Sequence, residues 1–165
     1  MERELITMIS NIIVNNVDLV SLAVKQRSKF EGWLKFELAK KLSHKFSDTE
    51  VEFPIGGKNV DIYSNDSLIE LKTPNTNYRC IGVEDKSKPI TDNVNGIITD
   101  IQELDKLSDK ESYIAFVMFP INKKKTHYQS HIKRIKEYLI SEENIEEYLL
   151  PVGDIDILVF SAKVK

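Results

Sequence analysis

Three short segments rich in β-branched and aromatic residues, 49–54, 58–64 and 68–73, lie almost end to end near the middle of the chain. Gly56-Gly57 separates the first from the second, and Asn65-Asp66-Ser67 the second from the third; both are turn signals. Gaps this short leave room only for tight reversals, so the three segments are predicted to form an antiparallel meander. Further on, 112–119 is a nearly continuous apolar run of strand length, the pattern of a strand buried on both faces. Between the two lie Val94, Ile97, Ile98, Ile101 and Leu104 at helical spacing, ending near Leu107, with Thr91 or Asp92 placed to cap. A helix inserted between a meander and a doubly buried strand predicts an α/β domain with a mixed central sheet flanked by helices.

The flanks extend this pattern. Residues 2–15 carry Leu5, Ile6, Ile9, Ile12 and Ile13 at helical spacing, and a second helical stretch is predicted over 18–45. Its later half, 28–45, opens with Ser28 and Glu31 three residues apart, a capping-box pattern. A helix over 126–140, a short helix over 142–150 and a last strand over 155–162 complete the coarse order α-α-β-β-β-α-β-α-β, in which the two helices of 126–150 are written as one. No repeat, low-complexity tract or Pro/Gly-rich linker divides the chain. Its 165 residues read as one domain spanning 1–165.

Hydrophobic residues make up 41% and charged residues 30%, enough for a core without covalent staples. The lone Cys80 excludes an intramolecular disulfide, fits a reducing cytoplasm, and is expected to be an inert thiol. The longest apolar run near the start, Ile12-Ile13-Val14, is far too short to span a membrane, and Glu2, Arg3 and Glu4 precede it. Neither membrane insertion nor a secretory signal is therefore expected. A net charge of −3 argues against indiscriminate coating of nucleic acid, although the placement of charge matters more than its sum. That placement is uneven: 112–136 holds no acid but has Lys123, Lys124, Lys125, Lys133, Arg134 and Lys136, with His127 and His131 between them. A solvated helix face is the plain alternative. The two histidines have Zn²⁺-binding spacing but no evident third ligand.

The stretch richest in chemistry runs from Gly56 to Lys72. On a hairpin with its tip near Asn65-Asp66, Asp61 pairs approximately opposite Glu70. Glu70 and Lys72, two residues apart on one strand, project to one face. Ile62, Leu68, Ile69 and Leu71 surround these charges. Burying unpaired charge costs several kcal/mol per ion, about the scale known for buried ions. Two adjacent carboxylates suit a hard divalent cation such as Mg²⁺, which takes one or two carboxylates plus waters and phosphate oxygens. Lys72 could then stabilise charge on a scissile phosphate or help deprotonate the attacking water. A cross-strand salt bridge between Lys72 and Asp61 on a solvated face is the alternative.

Asp61, Glu70, Leu71 and Lys72, with eight residues between the two acids, form a pattern that resembles the signature of the PD-(D/E)XK nuclease superfamily, the fold of restriction endonucleases and Holliday-junction resolvases. Val60 stands where the family often has Pro. The family core, an αβββαβ unit, corresponds to about 28–119 here, leaving an N-terminal helix and a C-terminal α-β extension outside it. The resemblance implies a Mg²⁺-dependent endonuclease, with Mn²⁺ able to substitute, hydrolysing phosphodiester bonds in DNA. It implies Asp61, Glu70 and Lys72 as the catalytic trio, with Asp61 and Glu70 on the metal. Many members add a carboxylate from the initial helix, here Glu31 or Glu37. Glu31 lies with Leu34, Leu38 and Leu42 in the apolar stripe, and the capping box with Ser28 is its other explanation. Glu37 falls on the more polar side, where a surface ion pair explains it equally.

A suspected nuclease site gives weight to nearby polar residues. Lys58, and Asn75, Asn77, Tyr78 and Arg79 in the loop after the third strand, could contact phosphate or base edges, as could the basic stretch from Lys123 to Arg134. A turn ended by Pro74 is the alternative for the loop. Thr91-Asp92-Asn93 could offer amides to a phosphate, but capping explains them fully. A homodimer, with the apolar stripe of 2–15 as one possible interface, would bring two sites to two strands. Two competing expectations are a catalytically weak nucleic-acid-binding or assembly module keeping the fold, and an unrelated α/β protein whose trio is accidental.

Overall fold

The computed structural model describes residues 1–85, 89–107, 110–122 and 126–164. Helices α1 (Glu2–Asn15), α2 (Val17–Lys25) and α3 (Glu31–Ser43) come first. They lead into the meander β1 (Glu50–Ile55), β2 (Lys58–Ser64) and β3 (Ser67–Lys72). Then follow α4 (Ile90–Leu107), β4 (Glu111–Ile121), α5 (His127–Lys136), a single 3-10 turn at Glu142–Asn144, β5 (Ile145–Val152) and β6 (Ile155–Lys163). The six strands form one mixed sheet in the order β1-β2-β3-β4-β6-β5. β3 and β4 are parallel, because α4 carries the chain back across the sheet between them; every other neighbouring pair is antiparallel.

Alternation along the central strands divides the interior into two layers. Tyr113, Ala115, Val117 and Phe119 of β4 join Leu5, Ile9, Val20, Leu34 and Leu38 from α1, α2 and α3. Ile114, Phe116 and Met118 turn the other way, to Val94, Ile97, Ile101 and Leu104 of α4 and Ile132 and Ile135 of α5. β4 is thus buried on both faces, as its apolar run predicts. The stripe of α1 is consumed in this core, with Leu5, Ile9, Ile12 and Ile13 all buried. Among the described residues no single helix is long and apolar enough to cross a membrane; α1 and α2 pass such a test only together, across an 89° bend.

Several sequence expectations need correction. The predicted helix over 18–45 is two helices, separated at Arg27, whose backbone is left-handed at φ 51°. Ser28 caps nothing: the N-cap of α3 is Phe30, without a side-chain hydrogen bond. α4 starts at Ile90, so Thr91 and Asp92 lie inside its first turn. The segment 142–150, expected to be helical, is β5 after its one 3-10 turn, paired with β6 from Ile145↔Ala162 to Val152↔Ile155. The C-terminal extension is therefore α-β-β.

Both outer strands contain a proline, Pro54 in β1 and Pro151 in β5. Exposed glutamates accompany them: Glu50 and Glu52 on one edge, Glu146 and Glu147 on the other.

Candidate functional site at the fork between β2 and β3

The β2–β3 ladder runs from Ser64↔Ser67 to Ile62↔Ile69. Continued by one residue this register would set Asp61 opposite Glu70, the pairing that hairpin arithmetic predicts, but the ladder stops at Ile62↔Ile69. At Asp61, however, strand alternation breaks: Val60 belongs to the α4–α5 layer and Ile62, two residues on, to the α1–α3 layer. The Asp61 carboxylate enters the opening. Its Oδ2 accepts the Leu71 N–H at 2.9 Å, and its Oδ1 accepts from Lys35 Nζ of α3 at 3.1 Å. A carboxylate thus replaces a strand carbonyl where the two strands part, and irregularities of this kind are common beside functional sites.

Glu70 and Lys72 project towards α4. Lys72 Nζ donates to Glu70 Oε1 at 3.0 Å and lies 3.4 Å from Asp100 Oδ2 of α4. Burial pushes the Glu70 carboxyl up to about 7, with the nearby negative charge of Asp61 adding to the effect and Lys72 opposing it. Asp100 is also raised, again mainly by burial, and Lys72 opposes the rise. Lys72 itself is held well above the ordinary lysine range: desolvation works to lower it, but Glu70, Asp100 and Glu31 outweigh that. Glu70 and Asp100 also line a cleft of about 40 Å³, together with Lys58, Val60 and Glu103. That is room for a water or a small ion, not a nucleotide.

Glu31 joins the cluster from the first turn of α3. Its Oε2 accepts the Thr73 N–H at 3.0 Å, tying the helix to the end of β3. This contact explains an acid in the apolar stripe, and the capping box does not. Glu37 makes no hydrogen bond or ion pair with any described residue. Between the two candidates on the initial helix, only Glu31 reaches the site.

No family model matches the chain, and no curated protein or solved structure matches it either.

Among the described residues, no group of three or more His, Cys, Asp or Glu side chains is arranged to hold a metal ion. The donor chemistry still suits a hard divalent cation. Glu70 is a buried acid whose anion is destabilised where it sits, and Asp100, raised in the same way by burial, has Lys72 as its ion-pair partner. Mg²⁺ needs only one or two protein carboxylates, with water and phosphate supplying the rest.

The remaining predicted residues are scattered. Lys58 sits at the rim of the small cleft, 2.5 Å from Glu103 Oε1. Asn75 is committed to the fold: its Nδ2 donates to the Arg27 carbonyl at 2.9 Å, and its own carbonyl accepts from Asn93 Nδ2 at 2.8 Å. Asn77 and Arg79 are exposed, while Tyr78 is half-buried with its phenol raised to about 12 by burial and the neighbouring Tyr128. Lys133 lines a groove of about 670 Å³ between α5 and β5, with Tyr128, Ile132, Tyr148 and Leu149, and that groove shares no residue with the acid cleft. Arg134 donates to Asn95 Oδ1 at 2.8 Å. Lys123, Lys124 and Lys125 lie outside the described residues.

Three participants escaped the sequence reading. Asp100 lies between Ile97, Ile101 and Leu104 on the buried stripe of α4, an acid in an apolar face. Lys35 follows Glu31 by one helical turn, so both point to the fork. Helical arithmetic alone could have found either. Arg27 is different: 2% exposed, it donates to the carbonyls of Thr76, Glu84 and Tyr78, the last at 2.6 Å, and so anchors the loop leaving the site. No spacing in the sequence announces that role.

Proposed function

We propose that this chain is a Mg²⁺-dependent endonuclease of the PD-(D/E)XK type, hydrolysing phosphodiester bonds, with DNA as its substrate and Mn²⁺ able to replace Mg²⁺. The observation that carries the proposal is one ammonium, Lys72, held between two largely buried carboxylates with a third from the adjacent strand close by. An acid-rich pocket that destabilises its own anions is suited to binding a dication. The order α3-β1-β2-β3-α4-β4, with β3 and β4 parallel, also agrees with the core that the motif implies.

Asp61 and Glu70 would hold the metal, with Glu31 reaching the same neighbourhood from α3. When bound, the ion supplies Lewis-acid charge and lowers the pKa of a coordinated water. Lys72 donates to the phosphate oxygen on which negative charge builds, an interaction that gains strength in a site with little water. The Leu71 N–H holds one oxygen of the Asp61 carboxylate, and Glu31 fixes the end of β3 through Thr73, so each of these two acids has a backbone partner. Asn77 and Arg79, exposed on the loop after Thr73, would contact phosphate. Pairing of two copies would deliver two such sites to a duplex.

One observation favours a second reading, a nucleic-acid-binding module that does not cleave. Both amines of the site are already engaged by its acids, and among the described residues no three acids are arranged to hold a metal ion. Incubation of plasmid and labelled oligonucleotide with Mg²⁺ or Mn²⁺ decides between them. Nuclease action requires cleavage that falls by at least about a hundredfold in Asp61→Ala and Lys72→Ala, the scale seen when one charge-stabilising group is removed. Binding without cleavage by the unaltered protein would establish the second reading, and cleavage indifferent to both substitutions would dismiss the site.

A further inference from the structure

Lys35 has an unusual position. Its ammonium lies 3.1 Å from Asp61 Oδ1 and also pairs with Glu52, and its side chain is only 12% exposed. Glu52 sits in β1 between Val51, which pairs with Ile62, and Phe53, which pairs with Val60; it is thus the residue across from Asp61. Its backbone is left-handed, φ 52°, although it is not glycine and lies within a strand. Conformations of this kind are sparsely populated by L-residues with a full side chain and persist where surrounding contacts enforce them. The contact present here is the ion pair with Lys35. One amine from α3 is therefore shared by two carboxylates on neighbouring strands. Asp61 is 14% exposed and belongs to the fork, whereas Glu52 is 51% exposed and does not.

We infer that Lys35 is a displaceable counter-ion: it neutralises Asp61 when no divalent ion is bound, and swings wholly onto Glu52 when one binds. The inference rests on the metal site proposed above. An ammonium 3 Å from a prospective metal ligand repels an incoming dication, so it must either leave or weaken the binding. A lysine has a flexible four-carbon stem and a point charge, which suits it to exchange partners. Glu52 gives it somewhere to go. The ammonium keeps a carboxylate partner throughout, so the exchange never leaves it unpaired.

The inference predicts effects of opposite sign at two residues that touch each other. Lys35→Met removes the competitor, and Mn²⁺ should bind about tenfold tighter. Glu52→Gln removes the alternative partner, leaves Lys35 on Asp61, and should weaken binding by about tenfold; changes of 10–100-fold are typical for groups that contact a metal ligand. The double variant should behave like Lys35→Met alone, because Glu52 acts only through Lys35. Calorimetric titration of the full chain with Mn²⁺, in the absence of any nucleic acid, reads all three, and far-UV circular dichroism checks the fold of each variant. Should Lys35→Met misfold, Lys35→Gln, which also removes the ammonium, takes its place in the comparison. If the unaltered protein binds Mn²⁺ and Asp61→Asn abolishes binding, but Lys35→Met leaves it unchanged or weaker, the counter-ion role is overturned and the metal site stands. If the unaltered protein binds no Mn²⁺, both fall.

Discussion

Replacing Glu70 with Gln preserves the size of the side chain and removes its charge, which makes it a direct probe of the buried cluster. In the folded protein this carboxyl is raised from 4.5 to about 7, by burial first and by Asp61 second, against the pull of Lys72. In the unfolded chain it ionises near its ordinary value. Below about pH 4.5 both states carry the proton, and Glu70 does not alter the balance. As pH rises towards 7 the unfolded state gives up its proton more readily, so stability falls; above 7 the folded protein carries the anion and the whole penalty. At 1.36 kcal/mol per pH unit, the interval from 4.5 to about 7 corresponds to about 3 kcal/mol. The side chain is 16% exposed, so solvent screening offsets little of this. The stability of Glu70→Gln relative to the unaltered protein should therefore grow by about 3 kcal/mol between roughly pH 4 and pH 8. For a chain of this length that is roughly 6–12 °C in Tm. Urea unfolding followed by far-UV circular dichroism, at several pH values and with chelator present, gives the two curves directly. Parallel curves across the whole range would refute the assignment of a destabilised buried anion at Glu70.

Arg27→Met should destabilise the protein by about 3 kcal/mol or more, since three loop carbonyls lose a buried charged donor; urea unfolding measures the loss, and limited proteolysis should shift into 76–84. Gly56→Ala and Gly57→Ala share left-handed backbones, at φ 59° and 80°, but a Cβ at Gly56 would lie 2.8 Å from Leu107 Cδ2, whereas at Gly57 it meets nothing within 4 Å. Gly57→Ala should cost about 1 kcal/mol, the backbone term alone, and Gly56→Ala measurably more in the same thermal melts; equal losses would contradict the packing of Leu107 against the turn.

Much of the fold was legible because burial writes a period into the chain. α1, α4, the meander and β4 each display the spacing of the face they bury, and the tip of the β2–β3 hairpin follows from Asn65-Asp66. β5 was not legible. Ile145 and Leu149 stand four apart amid acids, which imitates a helix, yet pairing with β6 holds the segment extended and leaves Tyr148 and Leu149 partly in solvent. The break at Arg27 was hidden too, because a buried arginine enforces it without glycine or proline. At the site, the trio and Glu31 could be read from spacing. The fork at Asp61 could not, since it depends on where the β2–β3 ladder stops and on an amine from a distant helix.

Pro54 and Pro151 sit one on each outer strand, and each lacks the N–H that an incoming strand would require. Around them, glutamates repel an identical edge brought alongside. Lateral growth of the sheet is thereby blocked at both ends, which protects the folded chain against strand-to-strand aggregation. Any pairing of two copies would then run through helices or loops and not through a continuous twelve-stranded sheet.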